Sequence, residues 1–197
     1  MWTKELFGTD VYHLIASFVI YSILGWLLES IYMSFCNKKL TNRGFAKGPF
    51  CPIYGFGATI GYLVLVPLKD KYVLLFCTGA VIATIFEYIV GRAMIKLLGE
   101  LWWDYNNKPF NFQGIICLES TLAWGVYAIG VVQFLQDAIY KLVDMVDVRI
   151  GRILICIILT LVIIDYCIQL MKVFKVDLKA KKSQLKEYYE AFFARWN

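Results

Sequence analysis

Four acidic residues interrupt otherwise apolar stretches of the sequence: Glu29, Glu87, Glu119 and Asp165. At 1.5 Å per residue, each lies roughly 8–15 Å inside the end of a predicted membrane helix. A carboxylate at that depth costs about 2–3 kcal/mol or more unless it is paired, hydrated or protonated. Four acids at similar depth predict one shared polar cavity, in which Glu29 and Glu87 bind a hard cation or relay protons. In the structural alternative, each acid only joins helices by pairing with an arginine or an indole.

The loop that follows the first acid adds candidate binding residues. Asn42 and Arg43 open a run that ends at Gly57 and contains two prolines, four glycines and Tyr54. Such a run favours a broken or re-entrant start of the next helix, because irregular backbone at membrane depth is tolerated only against protein or a wet cavity. Arg43 could bind an anion or pair with an acid through two hydrogen bonds.

The loop that follows the second acid is polar and aromatic. Asp104 stands between Trp103 and Tyr105 and is followed by Asn111. Asp104 could hold a cation or orient Arg92, whereas tryptophans at a helix end are typical of a membrane interface. The candidate binding site therefore comprises residues of both loops and of the adjoining helices: Glu29, Asn42, Arg43, Tyr54, Glu87, Asp104, Asn111 and Glu119.

The elements that must position these residues are predicted to be membrane helices. Hydrophobic residues make up 60% of the 197, the mean hydropathy is +0.62, and several apolar runs are long enough to span a bilayer. We predict an all-α integral membrane protein with about five transmembrane helices, the first capped by Thr9 or Asp10. The predicted helices cover residues 11–35, 49–68, 72–98, 114–136 and 149–172, within a transmembrane domain of residues 1–176.

The basic residues predict the orientation of these helices. Fourteen of the 20 lysines and arginines fall on the side that holds the two polar loops and the C-terminal tail. Positive charge is retained in the cytoplasm, so we expect a plasma-membrane protein with its N-terminus outside and its C-terminus inside. The tail, residues 177–197, has the pattern of an amphipathic helix that lies on anionic lipid or packs against another subunit.

The first four predicted helices resemble two copies of a two-helix unit. Glu29 and Glu87 each precede a polar loop with an asparagine, and each following helix starts with Gly-x-x-Cys, ending in Cys51 and Cys117. Two-span copies would run parallel, related by an axis near the membrane normal. Chance similarity between apolar helices is the alternative.

Several chemistries are excluded by the motifs that the sequence lacks. There is no Walker-type phosphate loop, so we predict no ATP site in this chain. A single histidine, His13, leaves no credible Ser-His-Asp triad or zinc set. The basic residues lie at helix ends rather than on one folded face, so we predict contact with lipid rather than nucleic acid. A hard cation held by Glu29 and Glu87 remains the cofactor to test.

Four motifs stand within residues 21–130: GWLLESIY, NRGFAKGPFCPIYGFG, FEYIVG and WWDYNNKPFNFQGIICLESTLAWG. With these motifs the sequence resembles a known family, the "putative ABC-transporter type IV" membrane proteins, which are common in Gram-positive bacteria and related to vertebrate transmembrane protein 229. The resemblance implies a multi-span plasma-membrane protein of permease type. The positions that match the family pattern are Glu29, Asn42, Arg43, Gly44, Gly48, Pro49, Pro52, Tyr54, Gly55, Glu87, Trp103, Asp104, Tyr105, Asn111, Gly114 and Trp124.

Three functions fit this sequence. The first is a permease or channel-like transporter with an acidic cavity open to the cytoplasm, working as a homodimer or with partner transporter subunits. The second is an intramembrane enzyme acting on a lipid or isoprenoid headgroup, with acids as bases or Mg²⁺ ligands and Arg43 on a phosphate. The third is a regulatory or assembly subunit whose acids are purely structural. We favour the first, which is not an enzyme.

Overall fold

The computed structural model describes Trp2, the strand Glu5–Leu6 and residues 9–42, 44–99 and 101–174. Arg43 and the predicted amphipathic tail lie outside the described residues. The helices are α1 Val11–Asn37, α2 Pro52–Leu65, α3 Tyr72–Leu98, α4 Leu118–Gly130, α5 Gln136–Asp144 and α6 Val148–Val173. Two short antiparallel pairs accompany them: β1 Glu5–Leu6 with β2 Thr9–Asp10, and β3 Asn111–Phe112 with β4 Ile116–Cys117.

The prediction of an all-α protein with about five apolar helices is confirmed. Among the described residues, four helical stretches are long and apolar enough to cross a membrane: α1, α3, the continuous stretch Leu118–Asp144, and α6. The fifth, Pro52–Leu68, is shorter and consists of α2 and one 3₁₀ turn. The chain is therefore a multi-pass membrane protein.

Three helix ends differ from the approximate positions that the sequence predicts. The second helix starts at Pro52 rather than at residue 49, because Phe50 and Cys51 still belong to the irregular loop. The fourth starts at Leu118 rather than at residue 114, because the preceding residues form the β3–β4 hairpin. The fourth also continues past residue 136: a π-helical turn, Val131–Leu135, joins α4 to α5 without a break.

The helices pair as two antiparallel hairpins, α1 with α2 and α3 with α4. In the first hairpin, the rings of Phe18 and Phe56 lie 4.7 Å apart, and a Cβ added at Gly25 would overlap the ring of Tyr54. In the second, the hydroxyl of Thr84 donates to that of Thr121 at 3.0 Å. The two hairpins present their acids from corresponding places, since both glutamates lie in the second half of a 27-residue helix.

The opposite end of the bundle is held by polar contacts to the start of α1. Asp10 is the N-cap of α1, as predicted, and its side chain accepts a hydrogen bond from the backbone of His13 at 2.9 Å. The ring of His13 also lies 3.0 Å from Asp144 at the end of α5. Deeper in the bundle, Gln136 accepts from the hydroxyl of Tyr21 at 2.9 Å, which ties α5 to α1. Contacts at two depths therefore fix α5 against α1.

Candidate functional site

The two predicted loops meet at one end of the bundle. Phe45 in the first loop stacks on Trp102 in the second, with ring centroids 5.7 Å apart and planes 16° apart. Tyr166 of α6 contacts the same ring of Phe45, at 5.6 Å between centroids. Residues from both hairpins and from α6 therefore converge here, as the sequence predicted for the loops.

Glu87 is the most enclosed acid among the described residues. Its side chain is only 5% exposed, although it lies on a helix that faces lipid elsewhere. Tyr105 donates its hydroxyl to Oε1 at 3.1 Å, and Trp124 donates its indole N–H to Oε2 at 3.0 Å. The hydroxyl of Ser120 lies 3.2 Å from Oε2. The carboxyl group is thus surrounded by three neutral hydrogen-bond donors, which we call the Glu87 cage.

Helix geometry explains how α4 supplies two of these donors. Ser120 and Trp124 are four residues apart, so they lie one turn apart on the same face. Cys117 caps the helix: its sulfur accepts from the backbone N–H of Ser120 at 3.4 Å, and its own N–H donates to the Ser120 hydroxyl oxygen at 3.3 Å. The cap fixes the first turn of α4 and with it the position of the Ser120 side chain.

The second loop positions the third donor, Tyr105. Asn111 donates to the carbonyls of Asn106 and Lys108, and its own side-chain oxygen accepts from the N–H of Gly114. Gly114 has a φ of +66°, which favours glycine, and its carbonyl accepts from the N–H of Tyr105 at 2.9 Å. Asn111 therefore contributes to the site by holding the loop that carries Tyr105.

Asp104 has a similar local role. Its Oδ1 accepts from the backbone N–H of Asn106 at 2.8 Å and from the side-chain amide of the same residue at 2.7 Å. This is the geometry of an aspartate that closes a turn on the residue two positions later. The sequence-based proposal that Asp104 holds a cation or orients Arg92 has no contact that supports it among the described residues.

The Tyr105 phenol is well suited to donate rather than to ionise. Burial, followed by the negative charge of Glu87 and the hydrogen bond to it, raises the pKa of Tyr105 above its usual value. The phenol consequently stays protonated at physiological pH, so its hydroxyl hydrogen is available to the carboxyl oxygen of Glu87.

Glu29 is half-buried, and its carboxyl group lies near enough to the phenol of Tyr54 for the two to interact electrostatically. The ring of Tyr54 approaches α1 closely at Gly25. Tyr54 also lies near enough to Tyr105 for the two phenols to interact electrostatically. Each glutamate therefore has a tyrosine near it, Tyr54 at Glu29 and Tyr105 at Glu87.

Asn42 organises the first loop in the way that Asn111 organises the second. Its Oδ1 accepts from the indole of Trp26 at 2.6 Å, and its amide donates to the carbonyl of Lys47 at 2.9 Å. The adjacent candidate, Arg43, lies outside the described residues, so its proposed role stays a prediction.

The remaining two acids have partners of their own. Glu119 is 66% exposed and forms an ion pair with Lys108 at 2.7 Å, a contact that raises the pKa of Lys108. Asp165 of α6 accepts from the backbone N–H of Gly48 at 2.8 Å. The structure thus gives Glu119 and Asp165 partners that differ from those of Glu87.

A metal ion is poorly matched to the donor set. Within the part of the chain that the structure describes, no group of three or more His, Cys, Asp or Glu side chains could hold one. Hard cations take six or more oxygen ligands, whereas the Glu87 cage offers one carboxyl group and donors that direct hydrogens at it. The predicted cation at Glu29 and Glu87 therefore has no structural support in the described residues.

Ser120 and the role of Trp124 were missed by the sequence analysis. A signal for Ser120 was present: it stands three residues after Cys117, as Tyr54 stands three residues after Cys51. Both cysteines are N-caps, of α4 and α2, so the two residues occupy corresponding places in the two hairpins.

Comparison with known proteins gives one match. A family model described as "Putative ABC-transporter type IV" matches residues 16–170, which include all four acids, both loops and most of α6. No curated protein and no solved structure matches the chain.

Proposed function

This chain belongs to the family described as "Putative ABC-transporter type IV", and on that basis we propose that it is a permease in which protons move between Glu29 and Glu87. The family and the apolar helices make it a membrane protein of transporter type. The observation that carries the finer proposal is the Glu87 cage, an intramembrane carboxyl group with three neutral donors. Acids at this depth are typical of proton relays and ion pathways.

The chemistry of the cage favours a proton over a metal cation. The indole N–H of Trp124 can only donate, so it keeps a hydrogen pointed at Oε2 in either protonation state. The hydroxyl of Tyr105 can donate or accept, so it can reverse when Oε1 gains a proton. In this proposal the proton binds to Oε1, next to the hydroxyl of Tyr105, which is the donor that connects the cage to Tyr54 of the other hairpin.

Tyr105 and Tyr54 supply a route between the two acids. A phenol passes a proton on by accepting one at its oxygen while releasing its own, so it is unchanged after each transfer. One proton leaves the Glu29 carboxyl, one arrives at Glu87, and water completes the step between the two phenols. The Tyr105–Glu87 hydrogen bond supports one end of this route, and the electrostatic interaction of Tyr54 with Glu29 supports the other.

The orientation and setting follow the charge pattern. We place the acidic site toward the cytoplasm, because the loop end of the bundle carries most of the basic residues, and the protein in the plasma membrane with its N-terminus outside. The tail lies outside the described residues, so the attraction of its lysines to anionic lipid stays a prediction. We also propose that the protein works as a homodimer or with partner transporter subunits.

Proton flux into liposomes tests the proposal. The purified full-length chain is reconstituted with a trapped pH-sensitive dye, and a pH step is imposed while potassium and valinomycin clamp the membrane potential. We expect flux above that of protein-free liposomes. Glu87→Gln and Glu29→Gln should each lower it by about a hundredfold or more, as expected when a proton-transfer group is removed.

The matched control is Glu119→Gln, which makes the same type of change at an exposed acid paired with Lys108. This variant should conduct like the wild type. Full flux in both Glu29→Gln and Glu87→Gln would remove the relay. Absence of flux from the wild type would contradict the proposal and favour a regulatory or assembly subunit.

A further inference from the structure

A cleft of about 400 Å³ opens between α6, α1 and the first loop, apart from the two glutamates. Ile158, Leu161, Val162 and Asp165 of α6 contribute to its wall at spacings of three, one and three residues, which places them on one helix face. Ile23 of α1 and Phe50 of the loop contribute to the facing wall. Its volume is within the range of small-molecule sites.

Two polar side chains line this cleft: the carboxylate of Asp165, and Tyr166, whose hydroxyl donates to the carbonyl of Phe50 at 3.3 Å. Oδ2 of Asp165 accepts from the backbone N–H of Gly48, which anchors the loop but leaves the negative charge in place. Among the described residues, no lysine or arginine lines the cleft or forms an ion pair with Asp165. A carboxylate against apolar walls at membrane depth is costly without a positive partner.

The geometry points to a lipophilic organic cation as the occupant of this cleft: we propose that it binds an amphiphile with one protonated amine and an apolar body. The amine pairs with Asp165, and the apolar body fills the space along Ile158, Leu161 and Ile23. The aromatic rings of Phe50 and Tyr166 also line the cleft, and aromatic faces attract organic cations. An anionic amphiphile is repelled by Asp165, and a metal ion finds only one carboxylate.

The proposal is independent of the proton relay, because the residues that line the cleft include no member of the Glu87 cage and neither Glu29 nor Tyr54. The proposal of a proton relay and the proposal of an amine-binding cleft can therefore each hold or fail without the other. The flux assay above and the binding assay below therefore give separate answers.

Binding is measured on the full-length chain in nanodiscs of zwitterionic lipid. The probe is a long-chain primary amine with a fluorescent group at its far end, and the neutral comparison is the alcohol of the same length with the same label. Fluorescence anisotropy, corrected with protein-free nanodiscs, reports binding of each. We expect saturable binding of the amine and at least about tenfold weaker binding of the alcohol, since the alcohol can still donate a hydrogen bond to Asp165 but carries no positive charge to pair with it.

Asp165→Asn separates the charge from the loop anchor, because the amide oxygen still accepts from Gly48. This variant should weaken amine binding about tenfold or more and leave alcohol binding unchanged. Leu161→Trp fills the cleft and should weaken binding of both probes, whereas Glu119→Gln should change neither. Equal binding of amine and alcohol would show an acyl-chain groove for ordinary lipid and overturn the proposal, as would undiminished amine binding by Asp165→Asn.

Discussion

The α1–α2 and α3–α4 hairpins hold a glutamate in a similar arrangement, but they bury its carboxyl group to different extents. In each, a glutamate in a 27-residue helix meets a residue placed three positions after an N-cap cysteine. In the first hairpin that residue is Tyr54, and Glu29 remains half-buried. In the second it is Ser120, and Glu87 is 5% exposed.

The loops account for the difference. The first loop runs irregularly into α2, and its Asn42 holds it against Trp26. The second is longer, folds into the β3–β4 hairpin and returns Tyr105 over Glu87. Trp124 of α4 completes the enclosure, whereas the position corresponding to Trp124 in the first hairpin is a small residue, Ala58. The comparison indicates that Glu29 is the more accessible of the two acids and that Glu87 is the enclosed one.

The largest expected effect concerns the close approach that holds Tyr54 beside Glu29. A Cβ at Gly25 would overlap the Tyr54 ring, whereas a Cβ at Gly61 meets nothing within 4 Å. Gly25→Ala should therefore destabilise the protein by about 1–3 kcal/mol, as overpacking does. Gly61→Ala, the same change in α2, should be neutral or stabilising by up to about 1 kcal/mol. Thermal unfolding in detergent compares them, and equal melting temperatures would contradict the tight Gly25–Tyr54 contact.

The next largest effect is the difference in chemical reactivity between the carboxyl groups of Glu29 and Glu87. A hydrophobic carbodiimide reacts with carboxyl groups within membranes, and peptide mass spectrometry reports each site separately. Glu29 should react about tenfold faster than Glu87, equivalent to about 1.4 kcal/mol of local opening. Tyr105→Phe removes the hydroxyl that donates to Oε1. It should speed the reaction at Glu87 and thereby reduce the difference between the two reaction rates. Equal rates in the wild type would show that the two hairpins do not differ as described.

The helices were predictable from the sequence because long apolar runs need a bilayer, and that signal does not depend on detail. The site was only partly predictable. Glu87 and the two loops were found from charge in apolar surroundings, but Ser120 was passed over in favour of its neighbour Glu119. Consecutive residues on a helix point about 100° apart, so one faces the cage while the other reaches Lys108 outside.

Helix ends were less predictable for a related reason. The residues that precede α4 are apolar enough to continue a helix, yet Gly114 at positive φ and the hydrogen bonds of Asn111 turn them into a β hairpin. These are hydrogen bonds and backbone angles within the loop, and a hydropathy pattern carries no information about them. The extension of α4 into α5 through a π-helical turn is equally invisible to a periodicity of 3.6 residues.

The smallest effect lies at the other end of the bundle, where the two hairpins differ again. α1 starts with a side-chain cap from Asp10, whereas the N-cap residue of α3, Lys71, makes no side-chain cap. Burial raises the pKa of Asp10, but the hydrogen bonds from His13 and the charge of its ring lower it by more, so the net pKa is below the usual value. The carboxylate therefore adds stability that is present above the unfolded pKa, about 3.9, and is lost as the pH falls through the lower folded pKa.

Asp10→Asn isolates that charge, because asparagine caps a helix about as well as aspartate. Near pH 7 the variant should be less stable than the wild type by no more than about 1 kcal/mol, the size of a charge interaction at a helix start. As the pH falls below the unfolded pKa, about 3.9, the two melting temperatures should approach each other, because the wild-type carboxyl group becomes protonated and loses its charge. A difference that stays constant from pH 7 to pH 3 would mean that the cap acts through its hydrogen bonds alone, and α1 would then differ from α3 only in geometry.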